Sequence, residues 1–436
     1  MMLTAMPKYD TYKDSGVDWL GEIPFNWNIK PGLVAFSENK RSNKGMKEDV
    51  VLSLSYGKII VKPVEKLVGL VPESFETYQI VEPHDIIIRC TDLQNDQTSL
   101  RIGLAKHHGI ITSAYLNLKV SDAYSARYLH YYLYALDTTK VIYQFGSGLR
   151  QNLSFIDFKR LPVFDIPRDT QTAIADFIDE KTAKIDEAIA IKEQQIDLLN
   201  ERKQILILQA VTQGLDPTVP MKDSGVAWIG NIPEHWSLKK IKHITKKIGS
   251  GITPLGGGSG YLDEGIPLLR SQNIHFDKID LDGVARISEK THMSMTNSQV
   301  KCGDVLLNIT GGSIGRCYYV ETKDELNVNQ HVCIVRPTHQ VNSVFLNYVL
   351  ASEVGQRQIW FFQQGGGREG LNFQAIKNFY LALPPELEQK KITEFVIELT
   401  QGINNGIKVY QQQIHRLKEY KTTLINSAVT GKIKVV

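Results

Sequence analysis

Cysteine is scarce in this 436-residue sequence: Cys90, Cys302, Cys317 and Cys333 are the four present, and no two share a Cys-x-x-Cys spacing. That argues against a zinc finger or a disulfide framework, and the four read as buried thiols in a reducing compartment. No run of 18 apolar residues occurs, so no segment is expected to span a membrane. The N-terminal residues lack the charged-then-apolar pattern of an export signal, and a cytoplasmic location is expected. One-sided charge is missing too, since 50 Lys and Arg face 47 Asp and Glu for a net charge of +3. So small a balance admits nucleic acid as a partner without demanding it.

The usual catalytic motifs are also missing. Gly431-Lys432 is followed by Ile433 rather than Ser or Thr, and no phosphate-binding Gly-x-x-x-x-Gly-Lys-Ser/Thr loop exists. The run Gly256-Gly257-Gly258-Ser259-Gly260 lacks that Lys and reads as a turn. The one Pro-Pro pair, Pro384-Pro385, lies between Leu383 and Glu386, which is not the Asp/Asn-Pro-Pro-aromatic signature of amino-group DNA methyltransferases. No nucleophile elbow or nuclease carboxylate cluster stands out, and His107-His108 reads as an exposed loop pair. A binding protein fits this inventory better than an enzyme, with no catalytic residue, no metal and no cofactor of its own.

What the sequence does have is a repeat. Lys13-Asp14-Ser15-Gly16-Val17-Asp18-Trp19-Leu20-Gly21-Glu22-Ile23-Pro24-Phe25-Asn26-Trp27 returns 209 residues later, from Lys222 to Trp236, with ten of fifteen positions identical. A second block, Arg150, Leu153, Phe155, Lys159, Pro167, Gln171, Ile174 and Phe177, returns 218 residues later as Arg368, Leu371, Phe373, Lys377, Pro385, Gln389, Ile392 and Phe395. The copies agree at their edges and diverge between them. Shared frames with private interiors are expected of two modules that read different ligands.

Each globular stretch is followed by a heptad pattern. Ile178, Thr182, Ile185, Ile189, Lys192, Ile196, Leu199, Lys203, Leu206 and Ala210 are spaced alternately by four and three, and Val396, Thr400, Ile403, Ile407, Tyr410, Ile414, Leu417, Lys421, Leu424 and Ala428 repeat the seam. About 40 residues at roughly 1.5 Å each give a helix on the order of 60 Å, which cannot bury its stripe alone and needs a partner, most simply the other copy. The matched polar positions Thr182/Thr400 and Lys203/Lys421 suit fixing of register. Gly214 and Gly431 suit C-terminal caps, while Gly402 and Gly406 weaken the second helix and predict a kink or late start.

The fold expected is α+β: two globular domains in tandem, each followed by a long helix, the helices pairing as an antiparallel coiled-coil spacer. The boundaries read 1–168 and 214–386 for the domains, with helices over 169–213 and 387–430. Apolar runs such as Asp85-Ile86-Ile87-Ile88 and Asp304-Val305-Leu306-Leu307-Asn308-Ile309 predict strands, and Ala126–Leu136 and Val344–Glu353 short helices. Polar loops between them are candidate DNA readers, because Arg suits guanine edges, Asn and Gln suit adenine, and Gly and Ser let backbone approach phosphate. In the first domain these are Arg89, Thr91, Asp92, Gln94, Arg101, Arg150 and Gln151; in the second they are Ser250, Thr253, Arg270, Gln272, Asn273, Thr310, Ser313 and Arg368. The heptad residues Ile178, Ile185, Ile189, Ile196, Leu199 and Leu206, with Val396, Ile403, Ile407, Ile414, Leu417 and Leu424, are the candidate spacer and partner-binding set. A coiled-coil scaffold that binds only proteins is the competing reading.

The pattern resembles the specificity subunit of Type I restriction–modification systems across essentially the whole chain. The resemblance is carried by the openings Gly21-Glu22-Ile23-Pro24-Phe25-Asn26-Trp27 and Gly230-Asn231-Ile232-Pro233-Glu234-His235-Trp236, by Gly312-Ser313-Ile314-Gly315 and Asn329-Gln330-His331-Val332, and by Pro385 to Ile392. It implies a non-catalytic subunit that reads a two-part double-stranded DNA target, one half per domain, with a gap set by the helices. It also implies two methylation subunits, holding S-adenosylmethionine and modifying adenine at N6, and restriction subunits using ATP and Mg. The first domain departs from the family segment at Gly312–Gly315, keeping only Arg101-Ile102-Gly103.

Overall fold

The computed structural model describes residues 6–435 apart from 64, 66–73, 97, 146–151, 255–259 and 364–369. The chain forms two compact units, Met1–Lys192 with Gln411–Val436, and Glu193–Tyr410. Each contains mixed sheet and helix, an α+β architecture.

The central sheet has the same order in both units. In the first, Phe36–Glu38, Leu116–Val120, Ile86–Ile88 and Ile102–Leu104 lie side by side, all antiparallel. In the second, Thr245–Ser250, Val332–Pro337, Val305–Asn308 and Cys317–Tyr319 do the same. One inner strand of each sheet, Ile86–Ile88 and Val305–Asn308, comes from an apolar run of the sequence and is buried along its length, as a strand covered on both faces must be. The interiors differ. The second unit adds a four-stranded sheet around Ile266–Leu269, whose pairing with Leu326–Val328 is parallel. In that place the first unit has two hairpin-like pairs, Leu52–Ser55 with Lys58–Val61 and Gln79–Val81 with Gly109–Ile111.

The repeated edge motifs join globular part to helix. Buried Gln171 accepts a hydrogen bond from the Ser125 amide (2.8 Å) and donates to the Ile166 carbonyl (2.9 Å). Its counterpart Gln389 accepts from Asn342 (2.8 Å) and donates to the carbonyls of Pro384 and Gln340. The opening motif grips a helix end. Gly431, at φ 72°, sits so close that a Cβ would lie 2.6 Å from Pro24 and 3.1 Å from Trp27, and Gly214, at φ 78°, sits against Trp236 and Pro233. Both glycines therefore satisfy a left-handed cap and a close approach together.

The long helices are Arg168–Gln213 and Glu386–Val429. Within the first unit their segments run antiparallel: Lys192 donates to Gln413 (2.6 Å) and Lys421 to Asp186 (2.7 Å). Within the second, Lys203 donates to Asn404 (3.1 Å), and a Cβ on Gly406 would lie 3.9 Å from Leu199. Asp186 and Asn404 are 218 residues apart, as are Lys203 and Lys421, so one polar contact is made twice. Of the heptad set, Ile178, Ile185, Ile189, Val396, Ile414 and Leu424 are buried, and Ile196, Leu199, Leu206, Ile403, Ile407 and Leu417 are half-buried.

Two expectations need correction. The second long helix runs without interruption through Gly402 and Gly406, so it starts no later than its partner; neighbouring helix contacts outweigh a penalty of about 1 kcal/mol per glycine. Cys302 is exposed, whereas Cys90, Cys317 and Cys333 are buried free thiols. Cys302 lies in a turn beyond a strand end and not on a strand facing the core.

Candidate nucleic-acid interface

The candidate readers of the second unit gather at one end of its sheets. Gly251 follows the strand Thr245–Ser250 and donates its amide to Asn329 O (3.1 Å). A Cβ there would fall 1.7 Å from Val328 O, which is why glycine holds the position. Asn329 donates in turn to Leu269 O (3.0 Å), and Ile309 to His331 O (3.0 Å). Buried Asn308 donates from Nδ2 to Ser271 O (2.7 Å), tying the 270–273 loop to the 308–316 loop. Leu371 N closes on Ile309 O (2.8 Å), bringing the segment after residue 369 to the same end.

On this frame sit Thr253, whose hydroxyl bonds Gln330, and Thr310, whose hydroxyl lies 2.6 Å from His331 Nδ1. Gln272 is exposed, and Ser250 and Ser313 are half-exposed. Arg270 is half-buried with its guanidinium over the Tyr261 ring at 5.6 Å. Asn273 has a different job from the one expected. It is 3% exposed, accepting from the Arg270 amide (2.9 Å) and donating to Asp280 O (3.0 Å), so it shapes the loop. Gln330 and His331 were not among the candidate readers, although they share a surface with Thr253 and Thr310; the clue was the polar run Asn329-Gln330-His331 between two apolar strands.

The first unit has the same frame at the loop after Ile86–Ile88. Leu153 N closes on Cys90 O (2.9 Å), the counterpart of Leu371 on Ile309, and Arg89 N bonds Arg101 O (2.9 Å). Thr91 and Gln94 are exposed on this loop, and Asp92 is half-exposed at φ 62°. Arg89 pairs with Asp96 (3.1 Å), whose carboxyl is held below its usual range by hydrogen bonds from Ser99 and Thr98 and by Arg89. Arg101 departs from expectation. It is wholly buried, with its guanidinium turned onto the carbonyls of Arg89, Thr91, Asp92 and Asp96, and it cannot reach a base from there. Arg150, Gln151 and Arg368 lie outside the described residues.

Among the described residues no cluster of His, Cys, Asp and Glu could hold a metal, and no helix is long and apolar enough to cross a membrane. The arrangement offers two sets of hydrogen-bonding side chains on rigid sheet ends.

Comparison with known proteins finds similar sequences and a shared fold. A model of the Type I restriction modification DNA specificity domain matches residues 233–412, the stretch that builds the second loop cluster. The Type I restriction enzyme MjaVIII specificity subunit of Methanocaldococcus jannaschii is 25% identical over 362 residues, spanning 82% of this chain and 80% of that protein. Over most of its length the chain is thus similar to Type I specificity subunits, and residues 233–412 match their DNA specificity domain. The EcoBI specificity subunit of Escherichia coli is 27% identical over 279 residues, and the match spans 61% of this chain but 57% of that relative's length. Among solved structures, the HsdS subunit of Thermoanaerobacter tengcongensis superposes with a TM-score of 0.52 at 14% identity, covering 94% of this chain and 98% of its own. A chain from a structural study of type I R-M complex assembly and conformational transition reaches 0.69 at 13% identity, covering 93% and 98%. These likenesses share the specificity-subunit fold.

Proposed function

We propose that this chain is the DNA-reading, non-catalytic subunit of a Type I restriction–modification complex, recognising a two-part double-stranded target. Each globular unit reads one half through its sheet-end loops. The two long helices act as an antiparallel coiled-coil spacer that sets the unread gap and docks two methylation subunits. Those subunits supply S-adenosylmethionine chemistry at adenine N6, and restriction subunits supply ATP- and Mg-dependent cleavage. The observation that supports this reading best is a shared frame with unlike side chains. The Cys90–Leu153 and Ile309–Leu371 hydrogen bonds are equivalent, yet the loop after Cys90 presents Thr91 and Gln94 and the loop after Ile309 presents Thr310 and Ser313. Base-edge readers must differ between half-targets while the scaffold need not.

The test is N6-methyladenine mapping of host DNA by single-molecule sequencing, with and without the gene. A two-part motif with a fixed gap that vanishes on deletion supports the reading. If the methylated motifs persist unchanged while the co-purified complex binds no DNA in a salt titration, the reading is wrong and the scaffold alternative stands.

A further inference from the structure

We infer that Arg101 is a positioning residue for the first reading loop, so that fidelity at one half-target depends on a side chain that never touches DNA. The inference rests on the proposed reading of DNA by residues 89–96. An arginine guanidinium carries five N–H donors in a rigid plane. Here all five point at acceptors: Nε donates to Tyr143 Oη (3.0 Å), Nη1 to Thr91 O (2.8 Å) and Arg89 O (3.3 Å), and Nη2 to Asp92 O (3.1 Å) and Asp96 O. The backbone N–H of Arg101 donates to Asp137 Oδ2 (2.7 Å), anchoring the pin to the helix Ala126–Thr138.

Four of those acceptors are backbone carbonyls of the loop that exposes Thr91 and Gln94. No carboxylate lies within ion-pair distance of the guanidinium among the described residues, so carbonyl dipoles and the Tyr143 face, 5.4 Å away, solvate the charge. A buried cation needs such partners, and the loop must close around it to provide them. The loop is therefore wrapped on the arginine. Asp92 keeps a left-handed backbone (φ 62°), a conformation that aspartate adopts more readily than most non-glycine residues. Asn95 donates to Asp92 Oδ1 (2.7 Å) and Asp92 N to Asn152 Oδ1 (3.1 Å), completing the fixed shape. A reader held rigid discriminates because a wrong base leaves groups unpaired that a loose loop could re-aim.

Lysine at 101 keeps the charge but brings three donors from one point, leaving carbonyls unheld. The test uses the intact complex with its methylation subunits and a duplex library randomised separately in each half-target. Arg101→Lys, Tyr143→Phe and wild type are compared by methylation rate. Expected is a loss of roughly tenfold in discrimination within one half-target for Arg101→Lys, less for Tyr143→Phe, with the other half-target as sharp as before. An Arg101→Lys profile as sharp as wild type in both halves overturns the inference. So does a uniform fall in both halves, which marks a structural role only; Tyr143→Phe, lacking one hydroxyl, guards against misfolding as its cause. A wild-type complex with no preference in either half fails in a distinguishable way, overturning the DNA reading first and this inference with it.

Discussion

Arg101 and Arg316 occupy one position in two copies of a sheet. Each lies before the strand that flanks the inner one, and each receives the same backbone bond, Arg89 N to Arg101 O (2.9 Å) and Asn308 N to Arg316 O (2.8 Å). Arg101 is fully enclosed with every donor engaged. The Arg316 side chain is half-buried and makes no hydrogen bond or ion pair to a described residue. The second unit fixes its loops with neutral groups instead, through Asn308 on Ser271 O and Asn273 on Asp280 O. Duplication preserved the backbone ladder, while the means of holding the loop was free to change. That freedom is what the proposed reading of two unlike half-targets requires.

The comparison can be broken most severely at the helix caps. Alanine at Gly431 meets Pro24 at 2.6 Å with φ at 72°, whereas at Gly214 the nearest groups stand at 3.1 Å and 3.3 Å. Combining left-handed strain with overpacking, Gly431→Ala should cost about 3 kcal/mol and Gly214→Ala about 2 kcal/mol. Urea denaturation followed by tryptophan fluorescence reads both, and equal small losses would remove the clamp from the account.

Next comes the arginine pair itself. Arg101→Ala removes the guanidinium donors from four carbonyls, of which Asp92 O and Asp96 O keep a second donor, and should cost about 3 kcal/mol, while Arg316→Ala should stay within about 0.5 kcal/mol of wild type. Similar losses at both positions would show that the two residues have not diverged.

A third contrast uses pH. Burial lowers the imidazole of His130 to about 4, and 218 residues on the counterpart is Tyr348, which does not titrate in that range. A depressed folded-state value means stability is complete above the unfolded value near 6.5 and is lost as pH falls toward 4. By pH 5 the first unit should have lost about 2 kcal/mol. His130→Gln should flatten that loss in thermal melts at pH 7 and 5; a steep loss that persists would assign it elsewhere.

The smallest effect belongs to the repeated helix contact. Lys421 pairs with Asp186 and Lys203 with Asn404, all at least partly exposed. Such contacts contribute about 0.5 kcal/mol, and a double-mutant cycle should find the charged pair slightly stronger and the more salt-sensitive.

The helices were legible in the sequence because seam periodicity is local: the pattern predicts 169–213 and 387–430, and the helices run Arg168–Gln213 and Glu386–Val429. The repeated Pro, Gln and Trp positions were visible as a frame, but not their contacts, since Gln171 to Ser125 and Gly431 to Pro24 join residues far apart in the chain. The loops were least legible. Arg101 and Gln94 look equally polar in a string of letters, and what separates them is enclosure by Tyr143, Asp137 and the carbonyls of 89–96. Asn273 misled in the same way, because a short polar side chain caps a turn as readily as it meets a base.

The most direct test of the account is to replace the first globular part, residues 6–160, by that of another specificity subunit and map the methylated motif. The account predicts that one half of the motif changes while the other half and the gap stay as they were. A change in both halves would contradict it.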